Sequence, residues 1–320
     1  DGGYMLVQLK NSFRRENLLK NYGIIIGFLV LCTIISFATP NFLTRNNILN
    51  LLRQSSIIGV IATGMTFVII SGNFDISVGK IAALGGTIIM SMISNGHSFI
   101  IALLTALLAG AVIGLINGFA VAVIKIPSLI ATMGMVVILQ GLIFIYTGGY
   151  PISGTNPVLS LIGRGYILGI PVPVIIFFLG VILANVVLRK TVMGRRIYAV
   201  GGNEDSSRLS GIDTVKYKIM VFMINGMASI IGGLILVSRL STATPTAGEG
   251  YDMDAIASVV IGGTSVNGGE GNVMRTIIGV LLMSVISNSF NLIGVSIYFQ
   301  YVFKGIIILA AVGFGSFKKK

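Results

Sequence analysis

A bundle of helices crossing a membrane many times is the fold class this sequence predicts, and three observations carry the prediction. The 320 residues are 54% hydrophobic and only 10% charged, against about a quarter charged in soluble domains, so too little charge is present to cover a water-facing surface. The apolar residues form long runs such as Tyr22–Ala38 and Phe99–Ile124, and a helical crossing needs about 20 such residues. The runs do not alternate polar with apolar residues, as the strands of a membrane β-barrel must. An all-α polytopic chain follows, read as a single membrane domain over residues 1–320.

Ten segments are expected to cross or enter the membrane. The first five are Tyr22–Ala38, Asn50–Ile70, Ser77–Ser94, Phe99–Ile124 and Ser128–Thr147. The rest are Val172–Leu188, Tyr217–Ser238, Ala255–Gly263, Val273–Asn288 and Ile297–Phe314. The eighth is too short to span alone and reads as a broken or re-entrant helix. The third carries Lys80 near its start and is expected to be irregular there. Ten crossings place both termini on one side. Putting them inside gathers Lys10, Arg14, Arg15, Lys20, Lys80, Lys125, Arg275, Lys318–Lys320 and the basic residues of 189–218 on the cytoplasmic face. That accounts for most of the 22 Lys and Arg residues and satisfies the positive-inside rule. The opening DGGYMLVQLKNSFRREN is too polar to be the apolar core of a secretory signal.

Between the segments, the Gly- and Pro-rich stretch Gly148–Pro171 reads as a structured loop on the outer side. Gly110, Gly114 and Gly118 recur every fourth residue and leave one helix face nearly bare, for close packing within the chain or against a second copy. Two Gly-interrupted polar stretches, Ser71–Lys80 and Gly262–Asn272, fall in opposite halves and hint at paired repeats around a path. Asn73, Asp75, Asn117, Gln140 and Asn225 are candidate path residues, because polar groups inside spans need partners or water. Asn288, Asn291 and Gln300 share that need. For Asp75, with Ser77, the favoured reading is a cap on the helix that follows, with a place on the path as the alternative. Neutral amides suit a neutral polyhydroxylated solute better than an ion.

The polar island Arg189–Lys218 is the sharpest feature. Asn203 is placed to cap a two-turn helix opened by Glu204 and Asp205 and closed by Gly211. A short helix with both ends specified, between spans, is suited to being gripped by a partner. Arg195, Arg196, Asn203, Glu204, Asp205, Leu209 and Gly211 are the residues expected to take part.

Several chemistries are missing. No G-x-x-x-x-G-K-[ST] phosphate loop occurs; SVGKI at Ser77–Ile81 lacks the earlier glycine and the closing hydroxyl. No H-E-x-x-H or G-x-S-x-G motif occurs, and the single Cys32 and single His97 offer no disulfide framework or paired metal ligands. The net charge of +12 sits in loops and tails rather than along an aromatic-lined groove, which argues against nucleic acid. No cofactor, metal or catalytic residue is expected, and an energised transporter built on this chain would need its motor elsewhere.

Four stretches resemble the permease subunits of ribose-type carbohydrate ABC importers. They are GMTFVIISGNFDISVG at Gly64–Gly79, KIPSLIATMG at Lys125–Gly134, GRRIYAVGGNEDSSRLSGI at Gly194–Ile212 and the Gly-rich stretch Ser241–Gly271. The family's coupling pattern E-A-A-x-x-x-G falls on Asp205-Ser206-Ser207-Arg208-Leu209-Ser210-Gly211, with Asp for Glu and Ser for both Ala. The resemblance implies a vitamin B12 importer-like permease in a bacterial plasma membrane, made as a homodimer. It implies two ATP-binding subunits below, contacted by the 189–218 loop, and an extracytoplasmic sugar-binding protein above. Ribose is the implied cargo, with a sugar-like signalling molecule or a polyol as alternatives. An ion-coupled secondary sugar carrier is the competing class.

Overall fold

The computed structural model describes residues 25–317. Tyr22, the basic residues up to Lys20 and Lys318–Lys320, on which the terminal part of the charge argument rests, lie outside the described residues. The helices are α1 (Ile25–Ala38), α2 (Arg45–Ile70), α3 (Val78–Ser94), α4 (Phe99–Ala122), α5 (Ser128–Thr147), α6 (Pro157–Arg164) and α7 (Val172–Lys190). They continue with α8 (Val192–Gly202), α9 (Glu204–Leu209), α10 (Thr214–Leu240), α11 (Tyr251–Ile261), α12 (Val273–Ile293) and α13 (Ile297–Phe317). Six of these, α2, α4, α5, α7, α10 and α12, are long and apolar enough to cross a membrane, and α1, α3 and α13 are shorter apolar helices.

Enclosure divides the bundle into a centre and a shell. In α2 89% of the most apolar stretch is buried, against 22% in α5. Ile61, Met65 and Val68 of α2 pack with Val78, Phe222 and Val280 in the main core. Leu108 of α4 and Val137 of α5 instead point outward, as apolar side chains do where lipid rather than water is the solvent.

The glycine stripe packs within the chain. A Cβ on Gly114 would stand 2.4 Å from the Phe222 carbonyl oxygen of α10, and one on Gly110 2.8 Å from that of Gly226. A Gly118 Cβ would meet the Ile219 backbone at 2.6 Å. Backbones this close gain dispersion contacts that bulkier residues would forbid. Gly114→Ala is therefore expected to wedge α4 from α10, at a cost of about 1–3 kcal/mol for an overpacked site. A lowered unfolding temperature of the detergent-solubilised chain reads it out. An unchanged midpoint would mean that α4 slides without cost.

α7 carries the chain from the loop side of the bundle to the end that bears α8 and α9, and α10 runs back the full length. The 148–171 stretch is structured at the far end. Strand β1 (Ile152–Ser153) is followed by α6, then by β2 (Tyr166–Ile167) and β3 (Ile170–Pro171), which pair as a hairpin. β1 pairs antiparallel with β4 (Thr242–Ala243), Ile152 opposite Ala243. Arg164 donates to the Arg239 carbonyl at 3.2 Å and to the Ser241 hydroxyl at 3.0 Å, locking this cover onto the end of α10.

Two interruptions matter most. Between α2 and α3 the chain is non-helical from Ser71 to Ser77, inside the Gly-interrupted polar stretch Ser71–Lys80, but α3 is regular helix from Val78 through Lys80 and lacks the irregularity expected at that lysine. After α10 it turns back into the bundle. Gln140, well along α5, donates to the Pro245 carbonyl at 3.4 Å, and the Gly248 carbonyl lies against the backbone of Gly79 in the first turn of α3. α11 thus starts inside the bundle, at 11 residues too short to span it, and finishes with Gly262 against Arg275 and Thr276 in the first turn of α12. It begins four residues before the expected Ala255, since Tyr251-Asp252-Met253-Asp254 is too polar to read as part of an apolar run.

Candidate functional site

The polar island forms two helices rather than one. Thr191 caps α8 by accepting the Gly194 N–H at 3.2 Å. Asn203 closes α8 and opens α9, its side chain accepting the Ser206 N–H at 2.8 Å. Gly211, at φ 78°, turns the chain out: its N–H bonds the Arg208 carbonyl at 3.0 Å and that of Ile212 the Ser207 carbonyl at 3.0 Å. This is the paired bonding of a Schellman end, which needs a left-handed residue.

Of the expected residues, Asp205, Leu209 and Gly211 face outward, and Leu209 is 90% exposed at the tip. Arg195 is exposed on α8. Arg196, also exposed, and the half-buried Glu204 are engaged by α10 instead. Arg196 donates to the Tyr217 hydroxyl at 2.7 Å and lies over its ring. Glu204 accepts from Lys218 and from Thr214, at 3.3 Å, both in the first turns of α10, and from Arg208 at 3.3 Å. Lys218 and Thr214 were not singled out from the sequence. Their signal was the opposite charges of Glu204 and Lys218 on two helices joined by the short turn 210–213.

Partial burial pushes the Glu204 carboxyl up, but Lys218, Thr214 and Arg208 together outweigh it and hold the group below its ordinary 4.5. A depressed carboxyl contributes stability that is complete above its unfolded value and is lost as pH falls through the folded one. Protection of the α9 amides against hydrogen exchange, referred to intrinsic rates, should therefore hold down to pH 4.5 and fall below it. Glu204→Gln should abolish that step, and an identical profile in the variant would disprove the tie.

α8 in turn is bolted to both interruptions. A Cβ on Gly201 would stand 1.8 Å from the Ile70 carbonyl oxygen, which also accepts the Gly269 N–H at 2.8 Å. Gly268 lies against Gly72 and Gly201, and Tyr198 donates its hydroxyl to the Gly271 carbonyl at 2.8 Å. The two Gly-rich stretches that the sequence set in opposite halves thus meet at the base of the α8–α9 element.

Above this junction a second cluster joins residues far apart in sequence. Asp75, fully enclosed, accepts the Ser77 N–H at 3.0 Å and the Ser77 hydroxyl at 2.5 Å on one oxygen. Its other oxygen accepts from Asn225 of α10 at 2.9 Å, and Asn117 of α4 donates to the Ser77 hydroxyl at 3.0 Å. Asp75 reaches the helix start through Ser77 alone, while Ser128 and Thr132 of α5 take the Phe74 and Ile76 N–H groups at 3.1 and 3.2 Å. Hydroxyl and amide partners of this kind let unwound backbone exist inside an apolar bundle. Asn73 and Gln140 stand outside the cluster: Asn73 bonds the Ser71 carbonyl at 3.0 Å, and Gln140 reaches Pro245. Among the described residues no cluster of His, Cys, Asp or Glu could hold a metal ion.

The family model for the branched-chain amino acid transport system permease component matches residues 47–312. The chain is 46% identical over 310 residues to the ribose import permease protein RbsC of Bacillus subtilis, covering 95% of this chain and 96% of that protein. It is 42% identical to the protein of the same name from Haemophilus influenzae, over 96% of this chain and 97% of the relative. It is 35% identical to the L-arabinose ABC transporter permease protein AraH of Azospirillum brasilense, over 94% and 89%. No solved structure matches. With apolar helices through most of its length, near-complete alignment to permeases and a family match spanning residues 47–312, the chain belongs to the branched-chain amino acid transport system permease component family.

Proposed function

We propose that this chain is the permease subunit of an ATP-driven ABC importer that carries a monosaccharide, ribose, from a binding protein into the cytoplasm. The relatives named for ribose and arabinose support a sugar cargo, although the family's description names amino acids. The observation that carries the coupling half of the reading is Leu209, a large apolar side chain 90% exposed on a helix whose two ends are both fixed. An apolar side chain presented from a short helix with fixed ends is suited to anchor in a groove of a partner.

In this reading the chain is one permease domain over residues 1–320, with ten crossing or embedded segments in a vitamin B12 importer-like arrangement and both termini in the cytoplasm. Two copies form the path in a bacterial plasma membrane, two ATP-binding subunits hydrolyse ATP below, and a sugar-binding protein docks above. Asp205, Leu209, Gly211 and Arg195 meet the ATPase. Arg196 and Glu204 hold the element to α10 and Asn203 fixes the start of α9, so that displacement of α9 pulls on a central helix. Through Gly201 the same displacement reaches the interruptions at Ile70–Ser77 and Gly262–Asn272. The Asp75–Ser77–Asn117–Asn225 cluster, with Asn73 and Gln140 beside the two re-entering stretches, forms the lock on the path, which opens when these hydrogen bonds are exchanged. The motor shifts the population only as far as it binds one arrangement better than the other.

The test is ATP hydrolysis and ribose uptake in proteoliposomes of this chain with its ATPase subunit, with and without sugar-loaded binding protein. Stimulation by the loaded protein together with uptake is expected. Uptake by this chain alone, driven by an ion gradient, would replace the importer by a secondary carrier.

A further inference from the structure

Between α2, α11, α12 and α13 lies a cavity of about 510 Å³ that the path residues above do not line. Its volume falls within the roughly 300–1,000 Å³ of small-molecule sites. Gln54 of α2, Asp254 of α11, Asn291 of α12, and Gln300, Tyr301 and Lys304 of α13 point polar groups or an aromatic ring at it. Because α11 starts inside the bundle, its first turn brings Asp254 to a depth where the other walls are apolar spans.

At the centre, the Lys304 ammonium meets Asp254 at 2.8 Å, the two side chains 21% and 15% exposed. Ionised groups within membrane helices are costly and mark water-filled cavities or ligand routes. The pair is also incompletely used. The second Asp254 oxygen is buried and has no partner among the described residues, and a lysine ammonium carries three donors. Gln300 donates to the Asn291 side-chain oxygen at 3.0 Å and to the Val295 carbonyl at 3.0 Å. Those bonds fix both amides and leave the Gln300 oxygen and the Asn291 nitrogen for something else. A free carboxylate oxygen, spare ammonium donors, one amide donor, one amide acceptor and an aromatic ring make a matched set for vicinal hydroxyls, each of which both donates and accepts.

Charge argues for a neutral occupant. Lys304 balances Asp254, and Lys80 lies 3.6 Å from Glu249, the remaining acidic group on the wall. The charges on the wall are engaged with one another, and a neutral polyol needs no field of opposite sign. We propose that this cavity is a cargo station in each protomer, taking a monosaccharide through the Asp254–Lys304 pair and the Asn291 and Gln300 amides. The proposal rests on the importer reading and adds to it a defined binding site.

Two measurements test it on the full complex in proteoliposomes or nanodiscs. Tyr301, 55% exposed at the cavity, is replaced as Tyr301→Cys in a Cys32→Ser background and labelled with a maleimide. Saturating ribose should slow labelling severalfold, while an equal concentration of a non-carbohydrate osmolyte should not. The double variant Asp254→Leu/Lys304→Met removes both charges together, so that neither is left buried alone. Its ribose uptake should fall about tenfold or more, the equivalent of losing ~1.4 kcal/mol of cargo stabilisation. Hydrolysis stimulated by loaded binding protein should persist, because docking occurs elsewhere. Labelling that ribose leaves unchanged, or uptake by the double variant at the unmodified rate, overturns the station. If the double variant does not assemble, the labelling result decides alone. Failure of the unmodified complex to import ribose would strike the importer reading, and the labelling experiment would still report on the cavity.

Discussion

Leu209→Glu is expected to leave the permease inserted and folded while cutting ATP-driven uptake about tenfold to a hundredfold. The side chain is 90% exposed, so the isolated chain loses almost no packing when it is replaced. Covering a leucine in a docked partner is worth about 1.5–3 kcal/mol, and each 1.4 kcal/mol is roughly a factor of ten in affinity. A carboxylate in its place adds the cost of burying a charge. Gly211→Val is the graded comparison. Nothing lies within 4 Å of a Cβ there, so its cost comes only from the backbone at φ 78°, about 1–2 kcal/mol for a left-handed non-glycine residue. That variant should loosen the end of α9 and weaken coupling less than Leu209→Glu does. Stimulated ATPase activity beside an unfolding curve separates the two effects. Normal stimulation in Leu209→Glu would place the docking contact elsewhere on the 189–218 loop.

Gly201→Ala is expected to be the most damaging single-methyl change on this end of the molecule. The added Cβ would lie 1.8 Å from the Ile70 carbonyl oxygen and 2.8 Å from the Gly269 nitrogen. Both are backbone atoms, and neither can rotate away as a flexible side chain would. Either α8 moves outward or the Gly269–Ile70 hydrogen bond breaks, and strain of about 1–3 kcal/mol is joined by a similar cost for an orphaned backbone group. Uptake should be nearly lost and the unfolding temperature clearly lowered. Gly211→Ala, with open space around it, should do far less to stability. If Gly201→Ala transports normally, α8 is not the link between the docking helix and the interrupted segments.

Each of the ten apolar segments coincides with a helix of the structure across the described residues, because partition out of water and backbone hydrogen bonding are satisfied locally. The ends of α9 were equally legible: Asn203 and Gly211 act on amides and carbonyls within three or four residues of themselves. Where the signal was weaker, whole short helices were missed: α6 lies in the stretch read as a structured loop. α8 went unseen as a separate helix because at 11 residues it is short, is not apolar overall and carries three helix-weakening glycines, although Ile197 and Val200 do share a buried face.

What the sequence determined by itself, then, is the class of protein, the order of its apolar helices and the existence of a short capped helix between two of them. The tertiary structure decided which partners those pieces have. It turned Gly110, Gly114 and Gly118 to α10 within the same chain, brought Asn225 to Asp75 across 150 positions, and set Glu204 on Lys218 rather than toward solvent. It also placed Asp254 against Lys304 in a cavity that no stretch of residues announces. Helix ends and apolar runs are fixed by neighbours along the chain and by the solvent. Contacts between distant residues depend on how whole helices pack, and in an apolar medium that packing is set by close backbone approach and a few polar bonds.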